Sequence, residues 1–295
     1  MKNKIMATLV AFGLVGSASA VEINENLSIN GFIDGSISKT DNGTAIAGGD
    51  TADWGLDEIE VNFLFNVGSV SGTVNLDSQA IGSGDDDIEL EQAHFTYSLD
   101  NGVSFTFGHY GSALGFERED PAGLYTFSRA YNDSAFNSGN IDADGNDVTG
   151  LTVAYAGDNY SVAASLEEAV GANLENEDLN LELSFAYTGI DNFSIGGGYF
   201  WDNQQVAANE TDELNLHVST TMGKIFLAAE YTQLKSDTAD RDAYLILADY
   251  DFNDKFGAAL RISQNEQAGV NVGDYEKVTL APNYSLTDSL GVIFE

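Results

Sequence analysis

Glu58, Glu60, Glu182 and Glu230 fall in segments where apolar and polar residues alternate, and Arg261 holds the same kind of position further on. In an extended chain a period of two puts every second side chain on one face, so these charges share a wetted surface behind a greasy one. A water-filled passage lined mostly by carboxylates lowers the energy of cations and raises that of anions, which predicts cation preference, with Arg261 as the counter-charge. A second group is Glu117, Arg118, Glu119 and Asp120, followed by Arg129, set among Phe116, Tyr125, Phe127, Tyr131 and Phe136. Aromatics and mixed charges of this kind let a long loop pack on a polar wall. Arg118 and Arg129 would then face the acidic strands across a constriction with a transverse field. The third group, Asn140, Asp142, Asp144 and Gly145, spaces oxygen ligands as in the first half of a calcium loop, but Leu151 stands where the twelfth-position carboxylate belongs. A solvated acidic turn is the favoured reading there, and calcium is the one candidate cofactor.

Other chemistries find no support. The chain has no Cys, so thiolate catalysis, disulfides and zinc-thiolate sites are excluded. Its histidines, His94, His109 and His217, accompany no G-x-S-x-G nucleophile elbow. No enzyme is predicted. With 11 Lys+Arg against 47 Asp+Glu, the formal charge of -36 repels phosphate backbones, which removes nucleic acid as a partner.

The elements that carry these residues read as strands. Leu179, Leu181, Leu183, Phe185 and Tyr187 alternate with Asn180, Glu182, Ser184 and Ala186, and the pattern recurs around Ile59, Leu216 and Leu260. Short turns rich in Gly, Asn and Asp alternate strictly with long polar connections, the longest being 111–147. Such a meander suits an outer-membrane barrel, which closes every backbone hydrogen bond because lipid offers none. The predicted fold is therefore all-β, a transmembrane antiparallel up-and-down β-barrel. Fifteen strands are legible, from 27–37 to 289–295. Because single-chain bacterial barrels have an even count, sixteen are expected in full length, with the last strand missing beyond Glu295. Lys2 and Lys4 precede an apolar stretch that ends in Ala18, Ser19 and Ala20, so residues 1–20 are predicted to be a cleaved export signal and 21–295 the barrel.

Residues 27–35, with Gly31, Ile33 and Asp34, resemble the opening strand of Gram-negative porins, and residues 105–117, with Gly108, Gly115 and Glu117, are similar to the passage into the third loop of OmpL-like porins. The resemblance implies a sixteen-stranded barrel in the outer membrane, touching lipid and lipopolysaccharide, with a third loop folded inward. It also implies passive passage of small hydrophilic solutes and ions, and a homotrimer. Two alternatives stay open: a structural or adhesive barrel plugged by its long loop, and a soluble secreted acidic β-protein that binds calcium or sugars.

Overall fold

The computed structural model describes residues 20–40, 51–79, 88–117, 125–131, 147–168, 179–203, 211–236, 240–266 and 274–295. Residues 1–19, which hold all but the last residue of the expected export signal, lie outside this set. So do Arg118, Glu119, Asp120, Asn140, Asp142 and Asp144.

Alternation of apolar and polar side chains makes each described segment a strand. In chain order these are β1 (Val21–Asn24), β2 (Leu27–Thr40), β3 (Thr51–Val67), β4 (Val70–Gln79), β5 (Glu89–Ser98), β6 (Val103–Gly111), β7 (Asp147–Ala156) and β8 (Tyr160–Glu168). They continue as β9 (Leu179–Ile190), β10 (Phe193–Trp201), β11 (Thr211–Met222), β12 (Ile225–Ser236), β13 (Arg241–Asp251), β14 (Phe256–Asn265), β15 (Tyr275–Thr287) and β16 (Leu290–Ile293). The sheet has sixteen strands, ordered in space as in sequence. This corrects the count of fifteen: the sixteenth strand is Val21–Asn24, which pairs with β2. Its four residues sit directly after the expected cleavage site, and it is too short for alternation to register.

Short turns join β1 to β2, β3 to β4 and so on through β15 to β16, while the connections between these hairpins are longer. Turn chemistry explains the tight ends. Asn192 holds a φ of 59°, and the Asn253 side-chain oxygen accepts from the backbone N–H groups of Lys255 and Phe256 at 3.0 and 3.2 Å. In-register pairing then carries each face along the sheet, as in Glu230 opposite His217 and Leu245.

The chain forms two compact units, Ser17–Phe95 and a larger one that includes Thr96–Glu295. In the smaller unit, Glu58 and Glu60 lie on one face of β3 and are buried. Asp34 stands directly across from Glu58, and Asp77 from Glu60. In the larger unit one face is a band of exposed apolar side chains, among them Leu183, Phe185, Ile246, Leu260, Ile262 and Leu280. Fully burying one such side chain is worth about 1.5–3 kcal/mol, so this band needs an apolar covering. Aromatic pairs mark its two ends. Tyr155 and Tyr160, and Tyr250 with Phe252 and Phe256, lie near the short turns; Tyr199 meets Trp201 with centroids 4.3 Å apart and planes tilted by 47° near the longer connections.

Candidate functional site

On the opposite, polar face of the larger unit, residues 112–117 and 125–131 of the segment between β6 and β7 lie against strands β9 to β15. The strands supply charges and the segment supplies mostly backbone. From β9, Glu182 accepts the Ser112 hydroxyl at 2.5 Å and the Ala113 N–H at 2.9 Å. From β12, Glu230 accepts the Phe116 N–H at 2.6 Å, the Tyr131 phenol at 3.0 Å and the Asn215 amide at 2.8 Å. A carboxylate has about four lone-pair sites, so each can gather several donors that would otherwise be buried without partners.

Arg261 of β14 reverses the polarity. Its guanidinium pairs with the loop's Glu117, donates to Thr126 Oγ1 at 2.7 Å and to the carbonyl of Arg129 at 2.8 Å. Glu117 also accepts the Ala130 N–H at 2.5 Å, while Ser263 Oγ donates to the Ala130 carbonyl at 2.6 Å. Lys277 of β15 reaches the same Arg129 carbonyl at 3.3 Å. Glu182 and Glu230 are each 3% exposed and Arg261 is 1% exposed, so all three lie beneath the segment they hold. Thus strand carboxylates meet backbone N–H groups, and the Arg–carboxylate pair has its arginine on the wall.

Outside the strands, Ser128 donates through its backbone N–H to Glu295 at 2.9 Å and also through its hydroxyl. Burial raises the Glu295 carboxyl, but the Ser128 bonds and the charges of Lys277 and Arg261 outweigh it and hold the group below the ordinary value. The Tyr131 phenol is pushed well above its usual range by burial and then by Glu230.

Apolar packing completes the seat. Ala130 and Tyr131 join Ala228, Leu234, Ala243, Leu245, Leu247, Ala259 and Ala281 in a buried cluster, with Phe116, Tyr125 and Phe226 at its edge. On β10, Gly198 leaves the space that Leu114 fills: a Cβ there would stand 2.6 Å from the Leu114 side chain and 2.3 Å from the Leu183 carbonyl. Leu114 is consequently fully buried.

The structure therefore brings together Glu182, Glu230, Arg261, Glu117 and the Arg129 carbonyl, joined by Tyr131 from the loop aromatics, and sequence reasoning missed Ser112, Leu114, Thr126, Ser263 and Lys277. One signal was legible. In β13 the alternation fails over Tyr244, Leu245, Ile246, Leu247 and Ala248, as expected of a strand covered on both faces. His217 lies on the polar face with its Nδ1 3.1 Å from Asn215 Oδ1, whereas His109 pairs with Thr149 at 2.9 Å near a strand end. Among the described residues no group of three His, Asp or Glu side chains is placed to hold a metal ion.

The family model for Gram-negative porins matches residues 7–294. No curated protein matches significantly. Among solved structures, the Salmonella typhi OmpF complex with daunomycin is similar at 10% identity and a TM-score of 0.66, covering 93% of this chain and 90% of that one. The anion-selective porin from Comamonas acidovorans is similar at 13% identity and a TM-score of 0.62, with 88% and 85% covered. The outer membrane channel DcaP of Acinetobacter baumannii shares 11% identity at a TM-score of 0.59, with 92% and 96% covered. These likenesses show the fold, an antiparallel up-and-down porin β-barrel.

Proposed function

Since the chain belongs to the Gram-negative porin family, and so is an outer-membrane channel protein for small solutes and not an enzyme, we propose that it works by passive diffusion through a water-filled lumen. Sixteen strands leave an aqueous channel, whereas eight would be filled by side chains. Residues 1–20 act as the cleaved export signal. The 111–147 loop folds inward and narrows the passage. The observation that carries this is the set of wall groups under the loop: Glu182 and Glu230 gripping its N–H groups, and Arg261 gripping Glu117. Glu182, Glu230 and Arg261 thereby act as anchors of the constriction.

The passage prefers cations. Support comes from the formal charge of -36 and from Asp34, Glu58, Glu60 and Asp77 gathered on one face of β2, β3 and β4. The resemblance to an anion-selective porin makes this the finer point to test. Reconstituted in a planar bilayer under a KCl gradient, the channel is expected to give a reversal potential of cation-selective sign. A potential of the opposite sign overturns the preference, and complete absence of conductance favours the plugged, structural barrel instead. Diffusion of this kind needs no cofactor.

A further inference from the structure

One stretch of the polar face is aromatic. Phe226 of β12 stands directly opposite Asp249 of β13. Tyr125 stacks on Phe226 with centroids 4.9 Å apart and planes 11° from parallel; Phe116 lies 6.1 Å from Phe226 at 19° and reaches His217 at 6.3 Å. All four rings are only half-buried, so the shelf keeps an open side. Beyond Asp249 the cross-strand row continues through Ala259 and Ala281, which are fully buried in the cluster with Ala130 and Tyr131. The next residue on that face of β13, Asp251, is opposite Gly257, and a Cβ on that glycine would stand 3.3 Å from its carboxylate. Two of the basic side chains are engaged elsewhere: Arg261 of β14 pairs with Glu117, and Lys224, in the turn between β11 and β12, donates to the Phe252 carbonyl at 2.8 Å. Burial first, then Asp249 and Asp251, push the Tyr125 phenol up to about 12, which sets both carboxylates within electrostatic reach of the rings.

Aromatic faces attract cations and stack flat apolar groups. A neutral sugar would leave the carboxylates uncompensated, and a compact inorganic cation would leave the rings unused. We propose that the Phe116–Phe226–Tyr125 shelf with Asp249 and Asp251 is a binding subsite for organic cations that carry an aromatic ring beside an ammonium group. The inference rests on the channel reading and names a solute class for it.

Phenethylammonium is the probe, with tetramethylammonium and benzoate as controls. In single-channel recordings in KCl, phenethylammonium is expected to interrupt the current in resolvable dwells and the controls are not. Asp249→Asn and Phe226→Leu are expected to shorten those dwells about tenfold each, the kinetic counterpart of a tenfold loss of affinity. Tyr125→Leu, outside the strands, does the same without touching the wall. Open pores that phenethylammonium interrupts no more than the controls do, or dwells unchanged in the folded variants, overturn the subsite and leave the channel standing. If no pore conducts, the channel reading fails, and saturation-transfer NMR of phenethylammonium with the protein in a neutral detergent decides the subsite alone. Transfer lost in the three variants supports it; equal transfer in all overturns it.

Discussion

Glu230 shows what a single buried carboxylate does in this protein. It gathers the Phe116 N–H, the Tyr131 phenol and the Asn215 amide, joining the loop to β11 and β12. Glu230→Ala leaves these donors without an acceptor, at a cost of about 1–3 kcal/mol for each that stays buried. Limited proteolysis within 111–147 is expected to speed up in that variant and much less in Glu230→Gln, which keeps one acceptor oxygen. Equal resistance in Glu230→Ala and the wild type would count against the anchoring role. The Arg261–Glu117 pair makes a sharper case. Arg261→Met strands a buried carboxylate, a loss of about 3–5 kcal/mol, and adding Glu117→Gln is expected to recover part of it; a double variant no more protease-resistant than Arg261→Met contradicts the pairing. Tyr125 gives the seat a response at high pH. Its folded value, about 12, lies above the ordinary 10.0, so the neutral phenol's contribution is complete below pH 10 and lost as pH rises through about 12. Subtracting the ultraviolet phenolate titration of Tyr125→Phe from that of the wild type is expected to isolate this late step; a difference centred near the ordinary value refutes it.

At the scale of elements, the loop holds its place because several strands each give up something to it. β10 gives up a side chain: Gly198 opens the socket for Leu114. β13 gives up its alternation and turns Leu245 and Leu247 toward the cluster that receives Tyr131. The energies follow from packing. Leu114→Ala leaves the wall untouched and empties a fully buried site, a change that costs about 2–5 kcal/mol. Single-channel recordings of this variant are expected to show an unsteady open level as the loop leaves its seat. A level as steady as that of the wild type would mean that the carboxylate anchors suffice without the socket.

For the whole molecule, passage depends on how much of the lumen the loop takes up and on the sign of the charges left facing water. Removing residues 121–140 is expected to raise single-channel conductance, and an unchanged pore would place that stretch at the rim. The homotrimer implied by the porin resemblance predicts a band near three times the monomer mass in unheated detergent gels, collapsing on boiling. A monomer under both conditions removes it.

Much of this was legible in the residues alone, for a physical reason. A strand of period two that touches lipid on one side and water on the other must write that division into consecutive side chains, so the meander and the alternation of tight and long connections could be read from Leu179 to Tyr187 and its counterparts, whereas the even count came from barrel closure and not from the residues. β1 escaped because four residues are too few to show a period. What tertiary structure alone decided was which polar residues meet. Glu182 and Arg261 are 79 positions apart, with nothing in their spacing to link them. They become two ends of one loop seat only because in-register pairing of β9 to β15 carries one face of the sheet under a segment that leaves β6 and returns at β7. A backbone N–H, moreover, carries no mark in sequence of the carboxylate that will accept it.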